Sequence, residues 1–83
     1  MINIHIEAYG AVTQFLPREL YIEVKEQQPI QVEQILHAII AQYPQAEQAV
    51  HRCACAIGED IIARQARLER DCTLVLLSPV AGG

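Results

Sequence analysis

The sequence predicts an α+β fold, a mixed β-sheet with one main helix packed on one face, in the order β-β-α-β-β-β. Three observations carry that prediction. Apolar and polar residues alternate with period two in two early segments, the period becomes helical in one middle segment, and the run Thr73 to Leu77 is apolar on both faces, as a central strand would be. With 83 residues, 52% of them hydrophobic, the chain has material for one small core and not for two.

The first strand is read from Ile2, Ile4, Ile6 and Ala8, which alternate with Asn3, His5, Glu7 and Tyr9. Gly10 and Pro17 bracket a loop. Leu20, Ile22 and Val24 then alternate with Tyr21, Glu23 and Lys25, so the two strands are expected to pair as a hairpin. After Pro29, Val32, Ile35, Leu36, Ile39, Ile40 and Tyr43 form one stripe of a three-turn helix, which Pro44 ends. Its start is poorly marked, because Gln31 stands where Ser, Thr or Asp would cap best. Residues Gln45 to Arg52 read as a connection with a helical turn through Ala46, Ala49 and Val50. A strand over Cys53 to Ile57, a turn at Gly58-Glu59-Asp60 and a brief edge strand at Ile61-Ile62 follow. Arg64, Arg67 and Arg70 recur at three-residue spacing. With Glu59, Asp60, Glu69 and Asp71 among them, a solvated mixed-charge surface is favoured over a phosphate-binding ridge.

Composition excludes several classes of function. No apolar run is long enough to span a bilayer, and no basic segment precedes a hydrophobic one at the N-terminus, so a soluble cytoplasmic protein without a membrane partner is expected. A formal net charge of -4 and the lack of a basic cluster with aromatics argue against nucleic acid and for partners with positive surfaces. Cys53, Cys55 and Cys72 are odd in number and lack a second pair at zinc spacing, so they read as buried free thiols and no metal site is expected. His5, His37 and His51 lie in separate segments and read as surface or boundary residues.

The most informative residues are the last. The expected organisation is a domain over residues 1–77 and a flexible tail over 78–83, Ser78-Pro79-Val80-Ala81-Gly82-Gly83. A central last strand holds the root of that tail, six extended residues reach about 20 Å at most, and Pro79 limits the freedom lost on docking. Glycine lacks Cβ and threads passages that admit little more than backbone. The one reactive group the tail offers is the Gly83 carboxylate, a poor electrophile that needs a partner to activate it, for example as an acyl-adenylate.

On the ending Leu77-Ser78-Pro79-Val80-Ala81-Gly82-Gly83, the order of elements and the length, the chain resembles the small subunit of molybdopterin synthase (MoaD type), within the ubiquitin-like β-grasp sulfur carriers. Ala56-Ile57 and Leu68 also suit that family. The chain departs from its usual pattern at Ser78, where a first proline is frequent, at Leu76-Leu77, where aromatics are usual, at Asp71-Cys72 and Gly58, and in the loop 10–16, which lacks a basic residue. The resemblance implies that an E1-like adenylyltransferase uses ATP to adenylate Gly83, that a sulfurtransferase supplies the sulfur of a 1-thioglycine thiocarboxylate, and that no cofactor is permanently bound. It further implies that Pro79, Val80, Ala81 and Gly82 enter a channel of the large synthase subunit, in a heterotetramer, where sulfur passes to cyclic pyranopterin monophosphate. Leu76 and Leu77 are the candidate rim anchors. Two other readings stay open: a thiamine-pathway (ThiS-like) carrier, and a ubiquitin-like modifier or interaction domain. A redox or metal protein using the three cysteines lacks the fourth cysteine and the clustered spacing that an iron-sulfur site needs.

Overall fold

In the computed structural model, which describes residues 1–25 and 29–78, the two period-two segments become β1 (Ile2–Tyr9) and β2 (Leu20–Val24), an antiparallel pair with Ile4 opposite Ile22 and Ile6 opposite Leu20. Their even-numbered side chains point inward, and Ile2, Ile4, Ile6, Leu20, Ile22 and Val24 are buried. Each such aliphatic side chain contributes about 1.5–3 kcal/mol by leaving water. The loop between them, read as irregular, holds a 3-10 helix at Ala11–Gln14 that buries Val12.

The helical stripe becomes α1 (Val32–Gln42), with Val32, Ile35, Leu36 and Ile39 buried against the sheet. Its weakly marked start has a tertiary explanation. The first N–H groups of a helix have no intrahelical acceptor, and here Val32 N–H donates to the Ala66 carbonyl (2.9 Å) and Glu33 N–H to the Arg64 carbonyl (2.8 Å). Gln31 N–H donates to Gln34 Oε1 at 2.9 Å. A distant loop thus does what a local Ser or Asp does elsewhere. Pro44 ends the helix as expected and opens a 3-10 turn (Pro44–Ala46) that runs into a second short helix, α2 (Glu47–His51), where the sequence suggested a single turn.

Two further strands were not expected. β3 (Ile30–Gln31) and β6 (Arg67–Leu68) pair antiparallel as a separate two-stranded sheet, Ile30 opposite Leu68. Two-residue strands carry no readable period. The segment whose charges were expected to form a solvated surface buries Leu68 and turns Arg64 inward, its guanidinium donating to the carbonyls of His51 and Cys53 at 2.9 Å each. Arg67 and Arg70 are exposed.

The remaining strands are β4 (Ala54–Ile57), β5 (Asp60–Ile62) and β7 (Cys72–Leu77), and the main sheet runs β2-β1-β7-β4-β5. β7 is central, parallel to β1 and antiparallel to β4, and β5 is the brief edge strand foreseen at Ile61-Ile62. β4 starts one residue later than expected, with Cys53 buried just ahead of it. The helices cover one face only. Leu74 and Leu76 are fully buried on that side, whereas Thr73, Val75 and Leu77 lie on the open side, so the apolar character of β7 on both faces does not mean burial on both. No helix among the described residues is long and apolar enough to cross a membrane.

Candidate functional site: the tail root and the open sheet face

The central strand delivers the chain to Ser78, and Ser78 is held by three hydrogen bonds. Its N–H donates to the Tyr9 carbonyl (3.0 Å), its hydroxyl donates to the same carbonyl (2.8 Å), and its Oγ accepts from Val12 N–H (2.9 Å). Tyr9 ends β1 and Val12 is the second residue of the 3-10 helix, so one serine ties the end of β7 to the β1 strand and to the loop after it. Gly10 lies between these partners at φ 88, ψ -153, a region essentially closed to residues with a side chain. A Cβ there would overlap the Ser78 carbonyl oxygen and crowd Ser78 Oγ. Gly10 is required on both counts.

Beside this clasp lies an open, partly apolar sheet face. The register sets Tyr9 opposite Leu77, Leu77 opposite Ala54, Glu7 opposite Val75, Val75 opposite Ala56 and Ala56 opposite Ile61. Tyr9 is 55% exposed, Leu77 38% and Ile61 67%, so apolar surface flanks the point where the tail leaves. Leu76, expected with Leu77 to anchor a partner's rim, is instead a core residue with no exposed surface: adjacent residues of a strand face opposite sides. Further along the face, His5 stacks on Tyr21 with ring centroids 4.7 Å apart and lies 3.5 Å from Glu19 Oε2. The expected site residues Pro79, Val80, Ala81, Gly82 and Gly83 lie outside the described residues.

Of the three cysteines, Cys53 lies next to the Ser78 hydroxyl and Cys72 at the opposite end of β7, paired with Ile4. Cys53 and Cys55 are buried, Cys72 is half-buried, and all three are free thiols. The Cys53 thiol donates to the Ala49 carbonyl at 3.2 Å. Burial, reinforced by the neighbouring Cys55 and opposed by Arg64 and by the Ser78 hydroxyl, pushes the Cys53 thiol up to about 11. Burial also raises Cys55, with Arg64 opposing, and raises Cys72 together with the Asp71 carboxylate. At neutral pH these groups are protonated and poorly nucleophilic. The linkage has a definite sign. A thiol raised from 9.0 to about 11 on folding keeps its proton while the unfolded chain loses it, so its contribution is intact below pH 9 and is lost as pH rises through about 11. That loss amounts to about 2–3 kcal/mol. Urea unfolding of the wild type and of Cys53→Ala, compared at pH 8 and pH 11, is expected to show the difference between them shrinking at high pH. A pH-independent difference would show that the thiol does not titrate in this way.

Neither Gly10 nor Ser78 was marked by sequence reasoning as functional. Gly10 read as a loop bracket and Ser78 as a departure from a proline. The signal that joins them is the parallel pairing of β1 with β7, which is a property of the fold and of no short motif.

The ThiS family model matches residues 16–83 of the chain. Among solved structures, SAMP1 from Haloferax volcanii superposes with a TM-score of 0.81 at 17% identity, over 98% of this chain and 99% of that one. Subunit 1 in the complex of subunits 1 and 2 of molybdopterin-converting factor from Helicobacter pylori 26695 superposes with a TM-score of 0.65 at 19% identity, over 99% of this chain and 100% of that one. The fold shared with them is the ubiquitin-like β-grasp expected from the sequence. No curated protein matches the chain in sequence.

Proposed function

The chain belongs to the ThiS family of ubiquitin-like sulfur carriers, and from that premise we propose that it is the sulfur-bearing small subunit of a molybdopterin synthase. In this reading Gly83 is adenylated by an E1-like enzyme at the expense of ATP, sulfur from a sulfurtransferase replaces one carboxylate oxygen, and the resulting thiocarboxylate donates sulfur to cyclic pyranopterin monophosphate in the cytoplasm. The observation that carries the reading is the tail root: a central strand clasped through Ser78 to β1, followed at once by Pro79-Val80-Ala81-Gly82-Gly83.

The physical division of labour follows from these residues. The tail brings no acid, base or lysine, so proton transfers at the reacting carbon belong to the partners. The clasp fixes where the tail starts, which lowers the freedom lost when it enters a channel. The open face around Tyr9, Leu77 and Ile61 gives a docking partner apolar surface next to the tail, and the exposed Glu19 and Glu23 favour a partner of positive potential. A two-subunit complex is known for the Helicobacter pylori relative, which supports a large subunit as the partner of this chain.

The likeness to SAMP1 favours a second reading, a ubiquitin-like modifier joined through Gly83 to lysines of other proteins, and the thiamine pathway is the nearest alternative among carriers. One experiment separates the three. The chain is purified from its native cell with its partners, and mass spectrometry is applied to the partners and to the C-terminal peptide. A thiocarboxylate at Gly83 together with a large synthase subunit is the expected result. Gly83 in isopeptide linkage to foreign lysines would replace the carrier reading with the modifier reading, and a thiazole-forming synthase as the partner would move the chain to the thiamine pathway.

A further inference from the structure

We infer that the end of the domain from which the tail leaves is kept free of amines, so that the activated Gly83 carbonyl reacts with nucleophiles of other molecules and not with its own chain. This inference rests on the proposed activation of Gly83. The hazard is chemical. An ε-amine that reaches an acyl-adenylate or thioester attacks the carbonyl carbon, the C–N bond forms, AMP or the thiol leaves with its bonding pair, and the amine gives a proton to solvent. The product is an amide, and the carrier is lost as a dead-end ring.

The sequence has a single lysine, Lys25, among six basic residues. The sheet puts it at the far end. Lys25 stands one position beyond the Val24–Ile2 pair and Ser78 one position beyond the Leu77–Tyr9 pair, so nine residue steps separate them along the strands. At about 3.3 Å per step that is roughly 30 Å. The five residues after Ser78 extend at most about 18 Å, and a lysine stem adds about 6 Å. β7 runs parallel to β1, so the chain also reaches Ser78 heading away from Lys25.

The cations near the tail root are of a different kind. Arg18 lies two residues before Leu20, which pairs with Ile6, and Arg52 two residues before Ala54, which pairs with Leu77; both are exposed. A guanidinium supplies positive charge without an amine lone pair to attack a carbonyl, so it is not acylated. Among the described residues, the one strong nucleophile close to Ser78 is the Cys53 thiol, which is 5% exposed and occupied by the Ala49 carbonyl. Among the described residues, charge is thus present at this end, whereas lysine amines and accessible thiols are not.

The test makes the acyl group without any activating enzyme. The 83-residue chain is released from an intein fusion by 2-mercaptoethanesulfonate as its Gly83 thioester, in three forms: wild type, Arg52→Lys and Gln14→Lys, the last on an exposed position of the 3-10 helix. Intact mass spectrometry and peptide mapping follow the fate of the thioester. The wild type is expected to hydrolyse to the acid, while both variants give a concentration-independent product lighter than the acid by one water, at least tenfold faster than any such product in the wild type. Closure of the wild type on Lys25 at a comparable rate, or failure of both variants to close faster than the wild type, would overturn the inference. Because the intein supplies the thioester, these outcomes are independent of the carrier reading, which fails instead if an E1-like enzyme and ATP never adenylate Gly83.

Discussion

A chain lacking Gly83, or carrying one residue after it, is expected to form no thiocarboxylate while unfolding as the wild type does. The reason is geometric. One residue displaces the terminal carboxylate by about 3.5 Å, and a misplacement of about 1 Å at a reacting centre already costs on the order of a hundredfold in rate. Extension also converts the Gly83 carboxylate into an amide, which cannot be adenylated. Stability should be indifferent, because the large side chains that fill the core, Ile4, Ile35, Ile39, Leu74 and Leu76 among them, all precede the tail. The measurement is the mass of the C-terminal peptide after incubation with an E1-like adenylyltransferase, ATP and a sulfur donor, alongside a denaturant curve. Undiminished sulfur loading of either variant would remove Gly83 from the chemistry.

The parts of the fold that were legible are those with a long period. Ile2 to Tyr9 and Leu20 to Val24 show alternation because one face is buried and the other open, and Val32 to Tyr43 shows a stripe because α1 packs on one side only. Pro44 and Gly58 punctuate as their backbones dictate. What stayed hidden depends on contacts between distant segments. The capping of α1 by the carbonyls of Arg64 and Ala66, the pairing of Ile30 with Leu68 and the inward turn of Arg64 leave no local trace, since each partner is chosen by the assembled fold. Leu76 and Leu77 were indistinguishable for a related reason. A central strand covered on one face presents the same run of apolar residues as one covered on both, and only the register against β1 and β4 shows that Leu77 and Tyr9 share the open side. At the candidate site, the Gly82-Gly83 ending is plain in the sequence, whereas the hydrogen bonds that hold Ser78 at its root are not.

That attachment can be broken at one atom. Gly10→Ala is expected to destabilise the domain by roughly 2–4 kcal/mol, because a side chain in this backbone region costs about 1–3 kcal/mol by itself and the added Cβ overlaps the Ser78 carbonyl, a backbone group with no rotamer to escape into. Gly58→Ala is the internal control. Gly58 also has positive φ, at 60, but nothing lies near its Cβ position, so only the backbone term of about 1–2 kcal/mol applies. Ser78→Ala removes both hydroxyl bonds and leaves the Val12 N–H without its acceptor, at about 1–3 kcal/mol. If Gly10 and Ser78 form one clasp, the double variant costs less than the sum of the singles, since the second change breaks what the first has already displaced. The same clasp fixes Ser78, the point from which the tail starts. Sulfur transfer to a large subunit should therefore fall in Gly10→Ala by an order of magnitude or more at a temperature where the variant is fully folded, and hold in Gly58→Ala. Equal stability losses in the two glycine variants, with transfer intact in both, would mean that Gly10 merely turns the chain and that transfer does not depend on the clasp.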